Sequence, residues 1–208
     1  MSDDEGLAVA RRSLHAVAEL LLAGPQHRAT GKIRLRVVPG GFATVLEPDV
    51  RVRGARVEAG DQGAEIGGQS ARSLGMRLGI AAGAPEGVYE DGTGAGTDDR
   101  LELPAGDAAT ILGALGLGHD ALVAFAPGEV PVLWPEHFDV AIRVADVNYG
   151  VSPGDGYIGE PYAYVGAGQV PPGDPFWNAP FGAAVPLREL DGRDAVAGFF
   201  AAGRERAR

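Results

Sequence analysis

The sequence predicts an α+β protein: a mostly antiparallel β-sheet with helices packed on one face, and a helix at each end of the chain. Three observations carry this. Apolar residues recur at helical spacing near both termini, short alternating runs with Gly and Pro turns lie between them, and those runs come as neighbouring pairs. With 208 residues, 45% of them hydrophobic, the chain has enough apolar material for one core, and it reads as a single domain whose composition changes near residue 131.

The elements follow in order. "LAVARRSLHAVAELLL" at 7–22 places Leu7, Ala10, Leu14, Val17, Ala18 and Leu21 on one helical face, with Gly24-Pro25 as its stop. "KIRLRVV" alternates Ile33, Leu35 and Val37 with Arg34 and Arg36, a strand with one wet face, and "PGG" at 39–41 turns the chain. "DVRVRGARVEAG" changes phase at Gly54, which predicts a bulge or tight turn there. A helix interrupted by Gly75 and Gly79 is expected over 70–81, and the Gly-rich acidic stretch 83–99 reads as a mobile exposed loop. Residues 105–126 read as helix with a break around "LGLGHD", 132–144 as strand, and "DGRDAVAGFFAAGRERAR" as a terminal helix with acids first and bases last. "HRATGKIRLRVV" and "HFDVAIRVADV" echo one another, which we read as chance similarity between two amphipathic strands rather than a duplicated unit.

Composition excludes several chemistries. Without Cys there is no disulfide, thiol nucleophile or thiolate metal site, and only four His remain for acid–base or metal work. A net charge of −10 argues against nucleic acid as a partner. No run reaches the roughly 20 apolar residues of a membrane helix, and "MSDDEGL" is acidic where a secretory signal begins basic, so no membrane partner and a cytoplasmic location are expected. Residues 28–56 stand apart, carrying seven basic groups against Glu47 and Asp49.

Chemistry concentrates in the second half. Eleven of the 14 aromatic residues lie between 131 and 200, in segments bounded by Pro, so fixed turns would hold them. On a continuous strand through "WPEHFDVAI", His137 and Asp139 share a face about 7 Å apart at Cα. An H-x-D pair of that kind suits a facial metal triad, but no His follows residue 137, so the usual order is closed; His27 or His119 could complete a triad, yet the pair reads more simply as polar strand residues and no metal ligand is assigned. "GVSPGD" lacks the nucleophile-elbow pattern, and "GTGAG" and "GLGHD" lack the strand-to-helix context and the Lys of phosphate loops. What remains is a constellation. His137, Asp139 and Glu136 are the candidate proton-handling groups. Trp134, Tyr149, Asp155, Tyr157, Glu160, Tyr162, Tyr164, Trp177 and Asn178 are the candidate walls of a small-molecule pocket over 134–178, with Arg34 and Arg36 available for an anionic group. The alternative is a non-catalytic interaction protein or homodimer using the Arg-rich strand face at 32–56; no cofactor is assigned on either reading.

The blocks "PGGFAT", "LWPEHFDVAI", "YGVSPGDGYIGEPYAYVG" and "FWNAPFGA" resemble those of an uncharacterised group of actinobacterial proteins. The resemblance spans most of the chain, implies a bacterial origin, and brings no catalytic residues with it.

Overall fold

Two five-stranded antiparallel meanders meet edge to edge in a computed structural model of the chain, which describes residues 3–90, 92–168, 170 and 173–207. The first comprises β1 (Leu35–Val38), β2 (Gly41–Thr44), β3 (Val50–Arg53), β4 (Arg56–Ala59) and β5 (Gln62–Glu65). The second comprises β6 (Val132–Trp134), β7 (Asp139–Val144), β8 (Val147–Ser152), β9 (Tyr162–Gly166) and β10 (Gly182–Pro186). Antiparallel pairing of Leu35 with Leu133 joins them into one sheet of order β10-β9-β8-β7-β6-β1-β2-β3-β4-β5. Short turns explain the meanders. Gly40, Gly54 and Gly60 each adopt positive φ between paired strands, the conformation that glycine reaches without a Cβ clash. The phase change expected at Gly54 is thus a tight hairpin turn.

α1 (Asp3–Val17) runs through a π-helical segment, Ala18–Ala23, into α2 (Gly24–Thr30), so the helix does not stop at Gly24-Pro25 as its sequence suggests. The reason lies in the backbone. Gly24 N donates to Glu19 O, and the next π-type donor, at position 25, is a proline without an N–H. Leu20 O is thereby left open and accepts from Gly83 N at 2.9 Å. Gly24 itself permits that approach, since a Cβ there would lie 1.7 Å from Gly83 O.

The segment 83–99, expected as a mobile exposed loop, is largely exposed but anchored to the fold at several points. Pro85 is buried, Thr93 hydrogen-bonds Glu19, and Arg72 grips Asp98 through two hydrogen bonds of 2.6 and 2.9 Å; Asp91 lies outside the described residues. α3 (Ala71–Leu78) begins with a reciprocal cap between Ser70 and Ser73 and ends at Gly79.

α4 (Ala105–Phe125) is unbroken through "LGLGHD". An 18-residue stretch of it reaches a mean hydropathy of 1.5, so this helix of 21 residues is long and apolar enough to cross a membrane, which corrects the expectation that no run approaches that limit; half of that stretch is buried in the fold. Gly118 lets the helix seat against the sheet: a Cβ at this position would lie 2.6 Å from Val151 Cβ and 2.8 Å from Val140 Cγ1. Gly118→Ala is therefore expected to cost about 1–3 kcal/mol through overpacking, read as a lower urea midpoint at unchanged m.

α5 (Gly192–Arg206) docks beside α4, with Phe200 and Phe125 flanking Tyr149. The core face of the sheet carries Phe42, Val52, Val140, Val151 and Val165, all fully buried. By alternation, the opposite face carries Arg36, Arg51, Arg53 and Arg56 in the first half and Asp139, Ser152, Tyr162 and Tyr164 in the second. β1 corresponds to β6 by its place in the meander, whereas the echoed "HFDVAIRVADV" covers the β6–β7 turn and β7, so the two echoed stretches are not structural equivalents.

Candidate functional site

A cleft of about 770 Å³ opens where α1 residues meet the face of β7–β9 that carries Asp139, Ser152, Tyr162 and Tyr164. Its volume is that of a small-molecule pocket. Six pieces of chain build it: one face of α1, Thr93 of the Gly-rich segment, the β6–β7 turn, the β8–β9 loop, Phe181 before β10, and the strand faces themselves.

The β6–β7 turn corrects the sequence reading most sharply. Residues 135–138 are a turn, not strand: Phe138 N donates to Trp134 O at 2.8 Å, and Trp134 pairs with Asp139 across the hairpin. Pro135 initiates the reversal, and Phe138 closes it with φ +54°, a region that bulky residues occupy only under constraint. Burial of its ring supplies the constraint, stacked on His15 at 5.3 Å and edge-on to Phe42 at 5.6 Å. His137 and Asp139 consequently do not share a strand face. His137 is exposed on the turn, and Asp139 is buried as the first residue of β7; both line the cleft.

Asp139 is the electrostatic centre. One carboxylate oxygen, Oδ2, accepts from the Tyr164 hydroxyl, and the other, Oδ1, is buried without a hydrogen-bond partner. Burial raises its pKa from 3.8 to about 6, against the hydrogen bond from Tyr164, which pulls it down. Burial and the Asp139 charge push the Tyr164 phenol well above its ordinary value, so the proton stays on the phenol. Gly150 makes this pair possible. Tyr164 lies opposite it on β9, and a Cβ at 150 would stand 2.5 Å from the Tyr164 hydroxyl oxygen. The ring occupies the place of the missing side chain.

α1 supplies groups that the sequence reading did not select. His15 Nε2 lies 2.5 Å from Pro135 O; a carbonyl only accepts, so Nε2 carries the proton and Nδ1 keeps its lone pair. Burial is the main cause that lowers the His15 pKa and holds the ring neutral. An unprotonated imidazole nitrogen and a carboxyl that titrates near 6 form an acid–base set suited to near-neutral pH. One turn earlier, Arg11 donates to Gly159 O at 3.0 Å, and burial lowers its pKa. Arg12 lines the same wall.

Glu136 also lines the cleft, and its Oε2 is buried without a partner. Asp155 is different. Oδ1 accepts from the backbone N–H of Tyr157 and Ile158 at 2.7 and 2.9 Å, and Oδ2 accepts from the Tyr162 hydroxyl, so its oxygens are spent on holding the β8–β9 loop. Burial and that contact push the Tyr162 phenol upward.

Of the sequence candidates, Glu136, His137, Asp139, Asp155, Tyr162 and Tyr164 meet in the cleft. The others do not line it. Tyr149 points to the core face, where Phe125 and Phe200 flank it. Trp134 ends β6 half-buried, outside the cleft. Tyr157 packs on Phe181, and Glu160 pairs with Arg188. Asn178 binds the Ala184 backbone through both amide atoms, tying down β10, while Trp177 packs on Phe176. Arg34 just precedes β1 and Arg36 lies on it, both in the other meander, with Arg36 donating to Thr44 O. Asp139 makes no hydrogen bond to His137 that would orient the imidazole; its donor is Tyr164.

Arg11, Arg12 and His15 escaped the sequence reading because the periodicity of α1 marks only its apolar stripe. Their spacing gave one usable hint: Arg11 and His15 are four apart and so share a helix face. No group of three or more His, Asp and Glu arranged to hold a metal ion occurs among the described residues.

Fold and cleft together define an α+β protein with a charged, aromatic-walled cleft on an antiparallel sheet. Compared with protein-family models, with curated protein sequences and with solved structures, the chain matches none.

Proposed function

We propose that this protein binds a small molecule in the cleft between α1 and the face of β7–β9 that carries Asp139. The observation that carries the reading is Asp139: a buried carboxylate with one oxygen unpartnered, on the wall of a cleft of ligand size. Leaving such an oxygen without a donor costs about 1–3 kcal/mol, and a bound donor recovers it. Buried polar groups left open in this way concentrate where a ligand completes them.

A thermal-shift screen against a metabolite panel tests the reading, with Asn148→Trp as the blocked control. Asn148 is exposed and lines the cleft, so an indole there fills the groove without entering the core. A ligand at about 100-fold excess over its Kd should raise the wild-type Tm by about 5–10 °C and leave the variant unmoved. Equal shifts in both proteins, or no shift with any compound, would overturn it.

A further inference from the structure

Resting on the reading that the cleft binds a small molecule, we infer that its ligand is a small zwitterion: a molecule that carries an ammonium and a carboxylate a few bonds apart, such as an amino acid. The unspent charges of the cleft form a complementary set. Arg11 and Arg12 line one wall, and neither has an ion-pair partner within 4.0 Å among the described residues. Asp139 Oδ1 and Glu136 Oε2 are buried and unpartnered. Arg11 spends one donor on Gly159 O and keeps the rest of its fork, while Asp155, the acid beside it, is saturated by its own loop and by Tyr162.

Opposite charges in one cleft attract, and here the fold keeps them apart. The arginines ride on a helix, whereas Asp139 is fixed in a strand and held by Tyr164. A ligand that bridges them must carry both signs. A lone anion would leave the carboxylate oxygens open, and a lone cation would leave the guanidinium groups open.

Size follows from the cleft. Arg11, Arg12, Glu136 and Asp139 line one cleft of about 770 Å³, so a single small molecule meets groups of both signs there. Tyr162, Tyr164 and Phe181 line it too, so an ammonium also meets aromatic faces.

Isothermal titration tests the inference. The probes are the standard amino acids and short ω-amino acids, each compared with the amine that lacks its carboxylate and the acid that lacks its ammonium. At least one zwitterion should bind, with its amine and acid each about tenfold weaker or worse. The variants should cross. Arg11→Gln should bring the zwitterion down to the affinity of the amine and leave the amine unchanged; Asp139→Asn should bring it down to the acid and leave the acid unchanged. Arg12→Gln repeats the first arm without touching Gly159. Amine or acid binding as well as the zwitterion, or variants that weaken all three equally, would overturn the inference. If another chemical class binds wild type but not Asn148→Trp, the zwitterion inference fails and the small-molecule reading stands. If neither panel yields a ligand, both fail.

Discussion

Asp139→Asn is expected to make the protein more stable at pH 8, not less. In the folded chain, burial lifts the carboxyl from 3.8 to about 6. An acid with a raised folded pKa binds its proton more tightly in the native state, so its contribution is complete below about pH 4 and is lost as the pH climbs to 6. The loss amounts to about 3 kcal/mol for a shift of about two units. An amide keeps an acceptor for the Tyr164 hydroxyl and carries no charge to desolvate. The variant should therefore gain about 1–3 kcal/mol over wild type at pH 8, and the gain should vanish near pH 4. Urea unfolding at both pH values reads the difference. A loss of stability at pH 8 would show that Asp139 is held ionised at no net cost.

Tyr164→Phe should do the opposite. Tyr164 supplies a hydrogen bond to Asp139 and spans the gap above Gly150. Without its hydroxyl, Oδ2 joins Oδ1 as an open acceptor, and the ionised form loses its stabilising donor. The expected cost is about 3 kcal/mol or more at pH 8, the size found when one partner of a buried charged pair is removed. At pH 4 the carboxyl is protonated, and the cost should shrink to about 1 kcal/mol. In the double variant Asp139→Asn, Tyr164→Phe, the tyrosine deletion should cost much less at pH 8 than it does in wild type, because no charge is left to strand. Additive losses in that cycle would mean that Tyr164 acts only through packing of its ring.

Particular residues show where the chain could be read and where it could not. The alternation of Ile33, Leu35 and Val37 with Arg34 and Arg36 announced a strand with one apolar face, and β1 has that face on the core. Gly54 marked the β3–β4 turn by a change of phase alone. The stripe through Val196, Phe199 and Phe200 placed the terminal helix, and all three residues are buried. "WPEHFD" misled, because its polar and apolar residues alternate as a strand does, while Pro135 and the positive φ of Phe138 make it a turn. Tyr149 and Tyr164 looked alike in sequence. One lies in the core and the other in the cleft because β8 and β9 turn them to opposite faces, a matter of register.

Local physics in the sequence determined the α+β class, the antiparallel pairing of neighbouring strands, the terminal helices and the region that supplies most of the cleft, because periodicity and turn residues act over a few positions. Tertiary structure alone decided that the long initial helix passes through Pro25, that the Gly-rich segment docks on Glu19, and that Arg11 and His15 face Asp139 across 124 to 128 positions of chain. Contacts between residues so distant depend on how whole elements pack, and no local pattern in the chain records that packing.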